Sequence, residues 1–444
     1  MSTVAARYIV QPSLRIQGEA IAPGDKSISH RALMLGSLAE GRSEIHGFLE
    51  SEDCLATLVA LRQLGVRIEG PNDGHVIVHG AGSGRLGAPH GPLDMGNAGT
   101  AMRLLMGLLA AQSFDSELIG DASLSRRPME RVAVPLRLMG AHITTRDGRP
   151  PVQIHGGQAL SAIDYELPVP SAQVKSAILL AALRADGRTR VHEPAPSRDH
   201  TERMLTRFGV ELLHADGTIA LQGGQALRAT EIRVPGDFSS AAFFMVAGCL
   251  AAPQGLVLRG VGLNPTRTGL LDLLREMGAD IRVRSWGDAG STAHSATEPV
   301  ADIEVYAKPL HGIKVPPSAV PLAIDELPVF FIAAACAQGE TLVRGALELR
   351  VKESDRLAAM ATGLGRLGVE HELLTDGLWI RGGGAFDGGV IDSQGDHRIA
   401  MAFAVAAVRA RAPIEIHDVA SVGTSFPNFV DSARALGLQI ELCL

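Results

Sequence analysis

The sequence predicts an α/β protein of two domains, each an inside-out prism of three repeated β-α-β-α-β-β-type units with buried helices. Three observations predict it. A short phrase recurs six times, six nearly all-apolar helices each open on polar residues, and the segments between them alternate as strands do. The phrase is a large apolar residue, glycine, a small apolar residue, one variable position, then usually an apolar or β-prone residue. Its copies start at Leu64-Gly65-Val66, Met139-Gly140-Ala141, Phe208-Gly209-Val210, Met277-Gly278-Ala279, Leu367-Gly368-Val369 and Leu436-Gly437-Leu438. Successive glycines lie 75, 69, 69, 90 and 69 residues apart. So steady a period means one supersecondary unit used six times.

The first repeat shows the plan. After Pro23-Gly24, the segment DKSISHRALMLGSLAEG places Ile28, Ala32, Leu33, Leu35 and Leu38 on a helix with a buried face, and Gly41 ends it. RSEIHGFL then alternates as a strand. Ser51-Glu52-Asp53 is expected to cap a second helix running to Leu64-Gly65, VRIEG opens a further strand, and HVIVHG closes a hairpin. The other five first helices open at GNAGTAMRLLMGLLAA, PSAQVKSAILLAALRADG, GDFSSAAFFMVAGCLAA, AIDELPVFFIAAACAQG and QGDHRIAMAFAVAAVRA. Helices apolar almost all round belong at the centre of a domain, while the strands can lie outside with one wet face. The long 90-residue interval is assigned to a polar hairpin insertion between Ser285 and Pro299. The expected domains are residues 24–235, and residues 1–23 plus 236–444. A strand in the first stretch (YIVQPSLRIQG) is expected to complete the second domain.

Composition excludes several classes of function. With 46% hydrophobic and 20% charged residues, the 444-residue chain reads as an ordinary globular protein. Aromatic residues make up only 4%, so the core is expected to be built from Ala, Val, Leu and Ile. A net charge of −7 argues against nucleic-acid binding. Cys54, Cys249, Cys336 and Cys443 form no CxxC pair, with Cys249 and Cys336 expected in the core. No two histidines have metal-ligand spacing, and His30, His200 and His397 read as structural, so neither metal nor cofactor is expected. The N-terminus carries no apolar signal segment, and the longest apolar runs, such as Ala241 to Ala252, fall short of the ~20 residues a membrane span needs. A cytoplasmic monomer is expected.

The polar residues cluster where the buried helices begin. A helix N-terminus offers free N–H groups and partial positive charge, and six aimed at one inter-domain cleft would hold a strongly anionic ligand. The first repeat offers Lys26, Ser27 and Arg31. The second offers Asn97, Gly99, Thr100 and Arg103, with Arg126, Arg127 and Arg131 in the loop SLSRRPMER. The third offers Ser171, Gln173 and Arg198. The fifth offers Asp325 and the charged run ELRVKESDRL, in which Lys352 and Arg356 are expected on one helical face with Glu353 beside them. The sixth offers Asp396, His397 and Arg398, whereas the fourth, with Asp237, Ser239 and Ser240, reads as structural. Two cations and a carboxylate together suit holding a phosphate and moving a proton. Capping and solvated ion pairs are the plainer alternatives for each cluster.

The segments PGDKSISHRALMLGSLA, GNAGTAMRLL, SRRPMERV, PSAQVKSA, IDELPVFFIAAACAQG, LRVKESDRL, GDHRIAMA and TSFPNF stand in the order found in a known family. Through them the chain resembles the 5-enolpyruvylshikimate-3-phosphate synthase family over essentially its full length. The resemblance implies transfer of the enolpyruvyl group of phosphoenolpyruvate to the 5-hydroxyl of shikimate 3-phosphate, with release of phosphate. It implies that Lys26, Ser27, Arg31, Ser171, Ala172, Gln173, Arg198, Asp325 and Lys352 hold shikimate 3-phosphate. Lys26, Asn97, Gly99, Arg127, Gln173, Arg356, His397 and Arg398 would hold phosphoenolpyruvate. Asp325 would orient or deprotonate the 5-hydroxyl, with Lys352, Glu353 and Lys26 completing the catalytic set.

Departures from the family pattern stand at Ser425, where many members have lysine, and at Glu348, where many have asparagine. With Arg198 they resemble the divergent branch that includes glyphosate-tolerant enzymes. Those carry alanine where this chain has Gly99, so glyphosate is expected to bind, with Leu104 (often proline in sensitive enzymes) pulling the other way. UDP-N-acetylglucosamine enolpyruvyl transfer uses the same six-repeat architecture. It normally needs a reactive cysteine in the loop that here reads SLSRRPMER, and a Lys-Asn pair where this chain has Lys26-Ser27. A non-catalytic anion receptor would need the cations but not Asp325 and Glu353. An RNA-end-processing enzyme on related units is disfavoured by the acidic balance.

Overall fold

The computed structural model describes residues 6–82, 85–285 and 298–444. It divides into two compact bodies: residues 24–234 together with Glu298, and residues 6–23, 235–285 and 299–444. The polar insertion expected between Ser285 and Pro299 lies, apart from its ends, outside the described residues.

In both bodies each repeat builds one sheet of the same order: a leading strand, the strand after the central helix, then the second and first strands of a hairpin. The first repeat runs Glu231–Arg233, Glu40–His46, His75–Ala81, Arg67–Asn72. The second runs Leu93–Asp94, Ser116–Ile119, Arg149–His155, His142–Arg146, and the third Asp164–Glu166, Arg188–His192, Thr218–Gln222, Leu212–Ala215. The leading strand pairs parallel and the hairpin antiparallel. The first repeat therefore takes its leading strand from the far end of its body, 231–233.

The second body borrows strands too. Gly18–Ile21 leads the fourth sheet, pairing parallel with Leu256–Gly262. Arg7–Gln11 fills the inner hairpin place of the sixth sheet, between Ile414–His417 and Gln439–Cys443. The N-terminal segment is thus two strands serving two sheets, where the sequence suggested one. Pro12, lacking an N–H, follows directly on the first of them. The fifth sheet keeps three strands, and isolated bridges at His311 and Lys314 stand where its leader would be.

The recurring phrase is a helix stop. Gly65, Gly140, Gly209, Gly278, Gly368 and Gly437 all have φ between 81° and 99°, the left-handed region that glycine enters without a Cβ clash. In every copy the next residue's N–H reaches back five residues, as from Val66 to the Leu61 carbonyl and from Leu438 to the Ala433 carbonyl. The glycine N–H reaches back three. This is the Schellman pattern, and the small apolar residue after each glycine is its hydrophobic contact. Four copies also carry an arginine three places before the glycine. Arg62, Arg137, Arg275 and Arg434 each donate to the carbonyl six residues on, at Ile68, Ile143, Ile281 and Ile440.

The six central helices are Lys26–Leu38, Gly99–Ala110, Ala172–Ala182, Phe238–Ala251, Leu327–Cys336 and His397–Ala406. Each is buried nearly all round, as an apolar helix with no polar face must be. The expectation of a core without aromatics fails in the second body. Phe238, Phe243, Phe244, Phe330, Phe331, Phe386, Phe403, Phe426 and Phe429 all lie in its core. Phe244 stacks on Phe429 at 5.7 Å between ring centroids, and Phe426 meets Phe429 edge-on at 5.5 Å. A low overall count had hidden their concentration in one half of the chain. Cys54 and Cys249 are buried and Cys336, at a helix end, is half-buried. No described helix is long and apolar enough by itself to cross a membrane; one sharply bent pair, Pro317–Ala323 with Leu327–Cys336, passes on length and composition, and Leu327–Ala335 is core.

Candidate active site

In the first body, arginines stitch together the starts of the three central helices. Asp25 caps the first, accepting from the Ile28 N–H at 2.9 Å. Arg31, one turn in, donates to the Ser27 carbonyl at 2.9 Å, to Ser176 Oγ on the third helix at 2.9 Å and to Thr201 Oγ1 at 2.6 Å. Burial pulls its guanidinium down to about 10. Arg103 reaches from the second helix to Gln173 Oε1 on the third at 2.9 Å, and Gln173 Nε2 returns to Thr100 Oγ1 at 2.9 Å. Ser171 caps the third helix, Ala172 is its first residue, and the Ala172 carbonyl accepts from Ser176 Oγ at 2.6 Å.

Lys26 extends to Asp53, Nζ to Oδ2 2.5 Å. Asp53 stands in the first turn of the second helix of its repeat, where Ser51 was expected to cap; the Ser51 side chain makes no capping bond. Arg127 is buried against Asn97, donating to its side-chain oxygen, while Asn97 Nδ2 donates to Asp121 Oδ2 at 2.7 Å. Asn97 thereby positions Arg127. A Cβ on Gly99 would lie 3.0 Å from Arg127 NH1 and 3.2 Å from Arg103 NH1, so two guanidinium groups crowd this helix start. Arg198 is half-buried in the loop before the helix His200–Arg207. Behind that helix, Lys175 Nζ sits between Glu193 Oε2 at 2.8 Å and Glu202 Oε1 at 2.6 Å, all three side chains enclosed.

The second body gathers the acidic residues. Asp325 lies on the turn between the short helix Val320–Ala323 and the central helix Leu327–Cys336; the N-cap position belongs to Glu326, whose side chain makes no capping bond. Asp325 faces three cations. Its Oδ1 is 3.5 Å from Lys352 Nζ and 3.3 Å from Arg356 NH1, and its Oδ2 is 4.0 Å from Arg398 NH2. Arg398 also donates to the Asp325 carbonyl at 2.7 Å. Lys352 reaches Glu348 Oε1 at 3.1 Å.

Arg356 is enclosed by carboxylates. It donates from Nε to Asp396 Oδ2 at 2.8 Å, from NH1 to Asp325, and from NH2 to Glu353. Those three charges hold its guanidinium above the ordinary arginine range although burial pulls the other way. Asp396 also caps the sixth central helix through the Arg398 N–H at 2.9 Å and accepts from Ser354 Oγ at 3.0 Å. His397, the first residue of that helix, is buried.

Two expectations change. Lys352 and Arg356 share no helical face: Leu347–Val351 is a 3-10 turn, residues 352–354 bend, and the helix starts at Arg356 with Asp355 as its cap. They meet because both turn to Asp325. The start of the fourth helix is also more than structural filler. Ser239 Oγ accepts from Arg267 NH2 at 2.6 Å and donates to the buried Glu326, whose Oε1 lies 3.8 Å from Arg398 NH1. Sequence reasoning missed Asp53, Glu326 and Arg267. Each pairs with a residue distant in sequence, so only the fold shows the partner.

Residues 10–433 match the family described as EPSP synthase (3-phosphoshikimate 1-carboxyvinyltransferase). The chain belongs to the EPSP synthase family. It is 57% identical over 436 residues to the 3-phosphoshikimate 1-carboxyvinyltransferase of Methylococcus capsulatus, covering 98% of both chains. It is 56% identical over 442 residues to that of Xanthomonas campestris pv. campestris, covering 99% of both. The solved structure of EPSP synthase from Acinetobacter baumannii superposes with a TM-score of 0.87 at 51% identity, over 99% of this chain and 100% of that one. Membership makes the chain a transferase of the shikimate pathway with the inside-out α/β fold, and does not favour the UDP-N-acetylglucosamine alternative.

Proposed function

We propose that this chain transfers the enolpyruvyl group of phosphoenolpyruvate to the 5-hydroxyl of shikimate 3-phosphate using the residues described above. Lys26, Ser27, Arg31, Ser171, Ala172, Gln173 and Arg198 hold shikimate 3-phosphate. Asn97, Gly99, Arg127, Gln173, Arg356, His397 and Arg398 hold phosphoenolpyruvate, with Lys26. The two substrates bring two phosphates and two carboxylates, which is why helix starts and arginines concentrate in a protein of net charge −7. A phosphate arriving at Arg356 must exchange with Glu353 or Asp325, because all three of its nitrogens already have carboxylate partners.

The chemistry needs one proton delivered and one removed at each stage. Protonation of the phosphoenolpyruvate methylene leaves its neighbouring carbon electron-poor; the 5-hydroxyl oxygen attacks it and surrenders its proton, giving a tetrahedral intermediate. Loss of a methyl proton then restores the double bond as the carbon–oxygen bond to phosphate breaks. Asp325 orients or deprotonates the hydroxyl, and Lys352 and Glu353 carry protons to and from the pyruvyl carbons. The observation that carries this reading is the Asp325 carboxylate set among Lys352, Arg356 and Arg398, with Glu353 on the same arginine. The reading takes the protein to be a cytoplasmic monomer.

The roles separate in deuterated water. Wild-type protein with both substrates should place deuterium in the pyruvyl methylene, and Glu353→Gln should slow that exchange at least a hundredfold while both substrates still bind. Unchanged exchange in Glu353→Gln would remove that residue from the proton path.

A further inference from the structure

The outer face of the first sheet carries a cluster that the reaction does not use. His46 and Glu44 stand two residues apart on the strand Glu40–His46, so both point to the same face. The hairpin brings His75 beside His46, their rings stacked at 4.8 Å between centroids, and the borrowed strand sets Glu231 opposite Glu44. Glu44 Oε2 lies 3.7 Å from the Nε2 atoms of both His46 and His75, and Glu231 Oε1 lies 3.6 Å from His46 Nε2. The His75 Nε2 atom is shielded from solvent and has no hydrogen-bond partner.

The carboxylate–imidazole separations are close to those between ligands of one ion. Zinc bonds to imidazole and carboxylate run at about 2.0–2.1 Å, which sets neighbouring ligand atoms of a tetrahedral site roughly 3.4 Å apart. Glu44 Oε2 is already within a few tenths of an ångström of that spacing from each imidazole; the two imidazole donors, within 4.8 Å of each other, have to close up as the stacked rings turn about their Cβ–Cγ bonds to aim both lone pairs inwards. We propose that Glu44, His46 and His75 form a three-ligand site for a divalent transition ion of the zinc class, with water or Glu231 in the fourth position. Arg42 holds Glu44 but Oε2 faces the imidazoles, so that pair can persist; Glu231 would have to release Arg233, which makes water the easier fourth ligand. Two imidazoles and one carboxylate favour zinc, cobalt, nickel or copper over the oxygen-seeking magnesium and calcium. A bound ion would tie the strand 40–46 to its hairpin partner and raise the stability of the body by mass action. The sequence hid the site because its histidines are 29 positions apart and become neighbours only through strand pairing.

The test is titration of the full chain, first stripped with chelator, with Zn2+ in a competition assay and with Co2+ followed by visible absorption. One Zn2+ per chain is expected, with ligand-field bands for Co2+. His46→Ala and His75→Ala should each weaken binding tenfold or more and abolish the bands. Glu44→Gln should weaken binding too. His155→Ala is the control: it breaks another exposed histidine pair, with His142 at 4.4 Å on the second sheet, and should change neither. Turnover should be the same in all of them. The proposal is overturned if wild type binds Zn2+ no more tightly than the His46→Ala/His75→Ala double variant, or if His155→Ala costs as much binding as His46→Ala.

Discussion

Arg356 and Asp396 form a two-pronged ion pair closed off from water. Nε meets Oδ2 at 2.8 Å and NH2 meets Oδ1 at 3.3 Å, with side chains 1% and 0% exposed. Removing one member of an isolated buried pair costs about 3–5 kcal/mol; Glu353 and Asp325 still face Arg356, so the cost here should fall below that range. Asp396 is also a helix cap, a role asparagine fills equally well. Asp396→Asn should therefore lose the charge pair alone, and Asp396→Ala about 1 kcal/mol more for the cap. Urea denaturation of both variants measures the order; equal stability to wild type in either would show that the pair contributes nothing.

Asp325 supplies a different kind of effect. Its neighbours are cations already partnered elsewhere: Lys352 with Glu348, and Arg356 with Asp396. Asp325→Asn should fold and bind shikimate 3-phosphate, yet lose turnover by about 10²–10⁴-fold, the range for a positioned acid–base group. Comparing kcat with substrate Kd by calorimetry separates the two; a loss confined to binding would make Asp325 a ligand only.

Gly99 sits between two guanidinium groups, 3.0 and 3.2 Å from where a Cβ would be. Both are anchored, Arg103 to Gln173 and the Pro128 carbonyl and Arg127 to Asn97 and Ser123, so a Cβ here has to push one of these held groups aside. Gly99→Ala should raise the KM for phosphoenolpyruvate several-fold and shift glyphosate inhibition to higher concentration. Superimposable inhibition curves for the two proteins would sink this assignment.

His30 sets an acid limit on stability. Burial first, then the Lys26 and Arg31 charges, hold its imidazole well below the ordinary value, while Nδ1 meets Thr57 Oγ1 at 2.8 Å. The unfolded chain titrates near 6.5, so as pH falls the unfolded state takes up this proton first. The native state thus keeps its full advantage above about pH 6.5 and loses it below, by up to about 1.4 kcal/mol per pH unit. His30→Asn should flatten the stability profile between pH 6.5 and 5; an unchanged slope would assign the acid loss elsewhere.

The repeats were legible because only glycine enters a left-handed helix stop cheaply, so Gly65 and its five equivalents had to be written out in the sequence. The central helices were legible because an apolar segment has nowhere to go but inside. Strand exchange was not: nothing local marks 231–233 as the leader of the first sheet, since long-range pairing leaves no short-range pattern. The charged run Leu347 to Arg356 misled for a related reason. Spacing by four suggested a helical face, but Asp355 caps at Ala358 and starts the helix late, and the meeting point was supplied by Asp325, some 30 residues upstream. Asp53 gained its meaning only from Lys26, 27 positions away in the same repeat, and Glu326 from Ser239 and Arg398 in other repeats.

The central claim is that these residues carry out enolpyruvyl transfer. Its most direct test is phosphate release when the folded protein is mixed with phosphoenolpyruvate and shikimate 3-phosphate, with Asp325→Ala alongside. Wild type should release phosphate only when both substrates are present, in step with their consumption, and Asp325→Ala should bind both and release almost none. No phosphate from folded wild type, or the same rate from Asp325→Ala, would contradict the account.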